Sequence, residues 1–207
     1  VLSKQQWLFD DETHALSNLG RVTNGNLTAH VQWVNPAYSS ERIYTSRYKH
    51  DQYGNNIQIL DPLYGIEPGH YRSIRFKDGL YPVSEVIQLG GIGLSVSAGF
   101  DMTHGVVSRY TDFNQNTTFY DYDGLGRLIS VVKPNDSISM PTRSFKYGYQ
   151  SVFEDSHVNW IETEQRIEAG GIAKRSRSYF GGSGELLMKV EESEDGFRVN
   201  KRNVYDA

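Results

Sequence analysis

The sequence predicts an all-β protein made of antiparallel hairpins, and three observations support this fold class. Fourteen of its 207 residues are Tyr, and aromatic residues make up 13% of the chain, which suits half-buried pleated surfaces. Twenty Gly residues suit a chain with frequent tight turns, because Gly accepts backbone conformations that other residues avoid. Short segments of alternating side chains, separated by turns that contain Asp and Gly, recur along the chain.

The clearest hairpin lies in the middle of the chain. Its first arm, residues 117–122, alternates so that Tyr120 and Tyr122 share one face of a strand. Residues 123–126 supply the turn, because Asp can bond the backbone two residues further on and Gly accepts a positive φ. The returning arm, residues 128–132, is rich in β-branched residues. We therefore expect a positive φ at the last Gly of this turn.

The same pattern recurs with substitutions, which indicates an array of repeats. Its residues are Tyr48, Asp51 and Gly54 in a first copy, Phe100, Asp101 and Gly105 in a second, Tyr120, Tyr122, Asp123, Gly126, Arg127 and Leu128 in a third, Phe180 and Gly184 in a fourth, and Tyr205 and Asp206 in a fifth. In the fourth copy Gly181 takes the Asp place and Glu185 the Arg place. The spacing from Asp101 to Asp123 is 22 residues, within the range of arrays whose units pack against their neighbours.

The motif Tyr-x-Tyr-Asp-x-x-Gly-Arg-Leu of residues 120–128 resembles the signature of the YD repeat of the Rhs and YD-repeat proteins. These include the B components of bacterial Tc toxin complexes and, more distantly, the animal teneurins. The resemblance covers most of residues 45–207. It implies hairpins that pair edge to edge into a curved, spiralling sheet, the wall of a shell. It also implies a self-cleaving aspartyl site in a conserved core of the full chain, but the motifs of that core are absent here, so no residue inherits a catalytic role.

The remaining elements can be predicted in chain order. Residues 1–44 form an irregular β segment that leads into degenerate repeats at 45–207, and the repeats are truncated at the C-terminus. The absence of a starting Met and the incomplete last motif indicate an internal piece of a longer chain. Beyond the repeats, we expect a short helical turn at 13–17, a short hairpin turn at Asn24-Gly25, a polar connection over 137–160, and strands at 6–9, 30–34, 72–76, 82–89, 94–100 and 162–168.

Composition argues against several classes of function. A net charge of −4 and a pI near 5.9 are untypical of a nucleic-acid binder. The densest basic cluster, residues 174–177, is interpreted as a solvated strand edge, and the acidic residues 191–196 as a hairpin tip. No apolar run is long enough to cross a bilayer as a helix, no signal peptide is visible, and the absence of Cys excludes disulfides and thiol chemistry.

No metal, cofactor or catalytic site is predicted. None of the six His residues has metal-ligand spacing from another His or an acid. Residues 121–124 resemble the start of a calcium loop, but the further oxygen ligands are missing. Residues 90–95 form a weak glycine-rich motif that a bend between strands explains. We therefore expect no enzyme activity.

Two functions remain. The first hypothesis, implied by the resemblance, is a structural wall segment of a shell that encapsulates a toxic C-terminal effector polypeptide in a secreted or cell-surface-associated bacterial toxin. Its partners would be the remainder of the shell, the enclosed effector and other toxin-complex subunits, without nucleic acid or membrane insertion by this segment. The second is an extracellular carbohydrate- or cell-surface-binding adhesion module built from the same repeats. The first hypothesis predicts that the face carrying Tyr120 and Tyr122 borders a solvent-filled interior.

Overall fold

The computed structural model describes residues 4–13, 21–33, 42–65, 69–153, 156–167, 173–193 and 196–202. Over these ranges the protein is all-β, with one short 3₁₀ turn at Pro62–Gly65 and no α-helix. The strands are Lys4–Phe9 (β1), Leu27–Trp33 (β2), Arg42–His50 (β3), Asn56–Leu60 (β4), Tyr71–Lys77 (β5), Tyr81–Leu89 (β6), Ile92–Asp101 (β7), Val106–Thr111 (β8), Thr117–Tyr122 (β9), Leu128–Val132 (β10), Arg143–Phe153 (β11), Ser156–Arg166 (β12), Ala173–Phe180 (β13), Leu186–Ser193 (β14) and Gly196–Arg202 (β15).

The chain forms two compact units, and strand order follows chain order in each. One unit comprises residues 1–100 and 111–115, and the other comprises residues 101–110 and 116–207. Strands β1 to β7 follow one another in the first unit and β8 to β15 in the second, and every described pairing is antiparallel. The predicted fold class of antiparallel hairpins is confirmed. The predicted division at residue 44 stays a prediction.

The hairpin of β9 and β10 follows the predicted alternation. In β9, Phe119 and Asp121 are exposed, whereas Tyr120 and Tyr122 are half-buried. Tyr122 lies opposite Leu128, and the register shifts by one residue at the start of β10. Period-2 geometry therefore places both tyrosines on one face, as the sequence predicts.

The best-packed apolar cluster lies on one face of β1 and β2. Leu8, Ala29 and Val31 are buried together, with Trp33 packed against them. On the opposite face Trp7, which is 53% exposed, stacks on His30 with ring centroids 5.1 Å apart. Alternation along the two strands thus separates an apolar face from an accessible one.

The short hairpin turn predicted at Asn24-Gly25 is wrong. Strands β1 and β2 are joined by the longer segment 10–26, whose end is fixed by the Asp10 carboxylate. Desolvation raises the pKa of Asp10, but hydrogen bonds from the amides of residues 23–26 outweigh it, and the net pKa lies far below its usual value. The predicted turn residues therefore bind the carboxylate of Asp10, which directly follows β1, instead of closing a short hairpin themselves.

The polar connection predicted over residues 137–160 is also wrong. Strands β11 and β12 pair from Arg143↔Gln165 to Phe153↔Ser156, and the Trp160 ring lies on Gly148, where a side chain would overlap it. The aromatic residues of β11 alternate with polar ones, which is a strand pattern that its overall polarity conceals. The strand predicted from 162 is confirmed as far as Arg166.

The basic cluster 174–177 does not lie on a sheet edge. It belongs to β13, which pairs with β12 on one side and β14 on the other. The cations face acidic side chains on these neighbouring strands: Lys174 Nζ lies 2.9 Å from Glu191, Arg175 Nη2 lies 3.0 Å from Glu192, and Arg177 Nη2 lies 2.5 Å from Glu162. Cross-strand charge pairing replaces the predicted solvated edge.

The acidic hairpin tip predicted at 191–196 lies partly within a strand. Glu191 and Glu192 belong to β14, and Ser193 pairs with Gly196. The residues between, 194–195, lie outside the described residues, as do residues 14–17 of the predicted helical turn. The polar side chains of β14 are strand residues that meet the cations of β13.

Candidate functional site

Three turns, at residues 51–55, 123–127 and 181–185, share one hydrogen-bond pattern and are called the capped turns. In each, the amide of the first residue donates to the carbonyl of the fifth, at 3.0, 2.9 and 3.0 Å. The amide of the fourth residue donates back to the carbonyl of the first, at 3.1, 2.9 and 3.1 Å. The fourth residue has a positive φ in every case: 84° at Gly54, 75° at Gly126 and 87° at Gly184. The positive φ predicted for Gly126 is therefore confirmed.

An Asp carboxylate closes two of the capped turns. Asp123 Oδ1 accepts the amides of Leu125 and Arg127, each at 3.0 Å. Asp51 Oδ1 accepts the amides of Tyr53 and Asn55, each at 2.9 Å. These bonds favour the charged carboxylate, so the turn is most stable when the Asp is ionised.

The pKa shifts of the two Asp residues agree with this geometry. The Arg127 side chain and then its amide lower the pKa of Asp123 below the usual 3.8. Desolvation raises the pKa of Asp51. Hydrogen bonds from the side chain and amide of Asn55 and from the amide of Tyr53 outweigh this effect, so the net pKa lies below the usual value. The residue at the fifth position thus supports the carboxylate in both copies.

The third capped turn obtains its carboxylate from the opposite end. A Cβ on Gly181 would overlap the Glu185 carboxylate, so this carboxylate fills the place of an Asp side chain. The Ser183 hydroxyl donates to Glu185 Oε2 at 2.7 Å. This bond, followed by those from the amides of Glu185 and Ser183, lowers the pKa of Glu185. Relative to the repeat motif, Gly181 replaces Asp and Glu185 replaces Arg. The turn nevertheless keeps a carboxylate that accepts hydrogen bonds within it.

Two tyrosine hydroxyls connect hairpins of the second unit to the strand before them. The Tyr122 hydroxyl donates to the carbonyl of Val107 at 2.8 Å, and the Tyr147 hydroxyl donates to the carbonyl of Leu128 at 2.8 Å. Desolvation raises the pKa of both hydroxyls. The Arg127 guanidinium also lies 4.5 Å from the centre of the Tyr147 ring. Arg127 therefore joins the capped turn 123–127 to the following hairpin.

In the first unit, Asn55 makes the corresponding connection. Asn55 Nδ2 donates to Asp51 Oδ2 at 3.0 Å and to the carbonyl of Gly79 at 2.7 Å. The Tyr53 ring lies against Gly79, where any side chain would overlap it. The degenerate repeat at 51–55 thus still contacts the next turn, and the Asn55 side-chain amide takes the place that the Arg127 guanidinium has in the turn 123–127.

His104 makes a third connection between turns. Its Nδ1 lies 2.9 Å from Asp101 Oδ2, and its Nε2 lies 3.4 Å from the carbonyl oxygen of Gly124. The turn 101–105 has one more residue than the predicted repeat. Gly105 ends it with φ 68°, and the Gly105 amide donates to the carbonyl of Asp101 at 2.8 Å. Nothing in the motif comparison indicated a role for His104, because its second partner lies in the following repeat.

The other predicted repeat residues lie on strands. Tyr48 and Phe180 are half-buried in β3 and β13, Leu128 begins β10, and the Phe100 ring contacts that of Tyr81 at 4.9 Å. Tyr205 and Asp206 lie outside the described residues. The structure thus brings a carboxylate, a Gly and the fifth-position residue together within each capped turn.

The described residues contain no group of three or more His, Cys, Asp or Glu side chains arranged to hold a metal ion. Within the same residues, no helix is long and apolar enough to span a membrane. Two surface grooves are present in the second unit, one beside Arg166 and one beside Phe119. The capped turns and their contacts are therefore the candidate functional feature, and their chemistry is that of fastening hairpins together.

Comparisons with known proteins identify the fold. No family model matches the chain, and no curated protein matches its sequence. The crystal structure of TcdB2-TccC3 matches 99% of this chain with a TM-score of 0.67 at 12% identity. The structure of TcdB2-TccC3-TEV matches 96% of it with a TM-score of 0.47 at 11% identity. The chain spans only 14% and 10% of those chains. It shares the fold of a region of the Tc toxin TcdB2-TccC3.

Proposed function

We propose that this chain is a wall segment of a Rhs/YD-type shell that encloses an effector polypeptide of a bacterial toxin. The observation that carries the proposal is the likeness to the Tc toxin TcdB2-TccC3 over 99% of the chain, at a TM-score of 0.67. Because the chain corresponds to 14% of that protein, the role proposed is that of one segment. The work of this segment is mechanical, and no catalytic step is assigned to it.

The contacts between hairpins support a wall. A single hairpin is marginally stable in water, so a wall of hairpins must be fastened at many points. Three different side chains supply such fastenings to the neighbouring hairpin or turn: Asn55 to Gly79, His104 to Gly124 and Tyr147 to Leu128. All three are hydrogen bonds to backbone carbonyls, which are present whatever the neighbouring sequence. This explains how a wall tolerates repeats as degraded as those of this chain.

The distribution of apolar residues also supports the proposal. Few hydrophobic side chains among the described residues are buried, while Phe119, Ile138 and Tyr149 are more than half exposed. A compact sandwich would instead need two inner faces dense in aliphatic residues. Exposed apolar groups of this kind suit loose contact with an unfolded polypeptide. The partners proposed are the rest of the shell, the effector and other subunits of a secreted toxin complex.

The test is limited proteolysis of the full-length protein that contains this chain. If the shell encloses an effector, its C-terminal polypeptide resists protease in the intact protein and is digested at once when expressed alone. A double variant, Arg127→Ala with Tyr147→Phe, weakens one fastening and accelerates digestion of the enclosed polypeptide. Equal digestion of the intact and isolated forms would contradict encapsulation. Saturable binding of the intact protein to glycans, with no protected polypeptide, would favour the adhesion module.

A further inference from the structure

His104 lies between two hydrogen-bond acceptors that belong to different turns. Asp101 Oδ2 is a carboxylate oxygen of its own turn, and the Gly124 oxygen belongs to the capped turn 123–127. A neutral imidazole has one N–H and one lone pair, so it satisfies one acceptor and presents its lone pair to the other. An imidazolium has two N–H groups and donates to both. The geometry therefore favours the protonated ring.

The negative charges around the His104 ring also favour its protonated form. Asp101 faces it from its own turn and Asp123 from the neighbouring turn. The cation of that turn, Arg127, is held by Asp123 Oδ2 at 2.6 Å and lies over the Tyr147 ring. The ring also packs closely on Gly126, where a Cβ would lie 3.1 Å from His104 Cδ2. Protonation thus adds an attraction at a contact that is already sterically tight.

We propose that His104 is a proton-operated clasp that fastens the turn 101–105 to the capped turn 123–127. The protonated ring holds both turns, and the neutral ring releases one of its two hydrogen bonds. The clasp is a property of this chain and does not depend on the shell function proposed above. It gives the contact between two successive hairpins a dependence on pH that the other fastenings, Asn55 and Tyr147, do not have near neutrality.

The direction of the pH dependence follows from the pKa. The hydrogen bond to Asp101, and then that to the Gly124 carbonyl, raise the pKa of His104 above the usual 6.5. A raised pKa in the folded state means that the clasp contributes fully below pH 6.5 and is lost as the pH rises through the raised value. The contact is therefore tight below the raised pKa of His104 and looser above it.

Hydrogen exchange of this 207-residue chain tests the clasp. NMR titration gives the pKa of His104, and the protection factor of the Gly126 amide, which donates to the Asp123 carbonyl, reports opening of the capped turn. We expect a pKa above 6.5 and about a two- to fivefold rise in opening as the pH passes through it. In His104→Asn the opening no longer changes with pH. In Asp101→Asn the pKa of His104 falls.

The matched control is His70→Asn, because His70 Nδ1 also faces an Asp, lying 3.2 Å from Asp61 Oδ2 in the first unit. This variant should retain the full pH dependence at Gly126. A His104 pKa at or below 6.5 in the wild-type chain would overturn the proposal. So would an unchanged pH profile of the Gly126 amide in His104→Asn. The pH profile of the Gly126 amide in the unsubstituted chain still tests the clasp if a variant fails to fold, because a profile that stays flat through the pKa of His104 would overturn it.

Discussion

The Glu185 carboxylate occupies the space in which the side chain of an Asp at position 181 would begin. In the capped turn 123–127, the carboxylate comes from the first residue, Asp123, and accepts amides of the third and fifth. In 181–185 it comes from the fifth residue, and the Ser183 hydroxyl, followed by the amides of the fifth and third residues, lowers its pKa. The position of the negative charge is retained although the residue that carries it has changed. The turn therefore requires a carboxylate and not a particular sequence.

The effects of substitutions at positions 181 and 185 on thermal stability should be coupled, because one carboxylate serves both positions. Gly181→Asp alone introduces a side chain where the Glu185 carboxylate lies, and we expect Tm to fall by about 2–4 °C. The double change Gly181→Asp with Glu185→Arg reproduces the arrangement of Asp123 and Arg127, and most of the loss should be recovered. Thermal unfolding followed by circular dichroism measures both. Equal losses in the single and double variants would contradict the exchange.

The backbone of Gly126 should resist substitution more than that of Gly124. Gly126→Val places a β-branched residue at φ 75° and 3.1 Å from the His104 ring, which should cost about 1–3 kcal/mol of unfolding free energy. Gly124 lies in the same turn with no atom within 4 Å of an added Cβ, so Gly124→Val is the control. Urea unfolding measures the two. Similar costs for both would argue against strain at Gly126.

The hydroxyl of Tyr147 should stabilise the second unit measurably. Tyr147→Phe removes the hydroxyl that donates to the Leu128 carbonyl, and the half-buried carbonyl oxygen loses this hydrogen bond. The loss should lower the free energy of unfolding by about 1 kcal/mol. Tyr110→Phe removes a hydroxyl from a side chain that is 39% exposed and should change little. Urea unfolding of both variants measures the difference. A loss in Tyr110→Phe as large as that in Tyr147→Phe would show that the hydrogen bond is not the cause.

The ion pair of Arg177 with Glu162 should matter more than that of Lys174 with Glu191. Glu162 is only 7% exposed, so Arg177→Met leaves a buried carboxylate with its main partner removed, at a cost of about 2–4 kcal/mol. Lys174→Met breaks an accessible pair and should cost about 0–1 kcal/mol. Chemical unfolding at neutral pH compares them. If Arg177→Met lowers the free energy of unfolding no more than Lys174→Met does, the burial of Glu162 does not determine the contribution of its ion pair.

Acid should open the capped turns through their carboxylates. The pKa of Asp123 is lowered in the folded state, first by the Arg127 side chain. A lowered pKa means that its contribution is present above the usual value of 3.8 and is lost as the pH falls through the folded value. Asp123→Asn should lose part of this acid dependence. The slope of unfolding free energy against pH measures it, and an unchanged slope would exclude Asp123 as its source.

Local patterns predicted local structure well. The arms of the central hairpin and the positive φ of Gly126 follow from alternation and turn chemistry within a few residues. The position of the 174–177 cluster in an inner strand depends on which strands pair with it, and no local pattern contains that information. The partner of His104 lies 20 residues away in the next repeat. The role of Glu185 could not be predicted from the motif, because its carboxylate takes the place of an Asp side chain at position 181.

Strand order that follows chain order has a consequence for how such a protein forms. Each strand pairs with the strand before it in the chain, so most new pairings close only a short loop and lose little chain entropy. The last completed strand offers its free backbone groups as a template for the next one. A sheet of this kind can grow hairpin by hairpin while the rest of the polypeptide is still being synthesised. Its length is therefore set by how many hairpins are added, and hairpins can be gained or lost without rearranging those already in place.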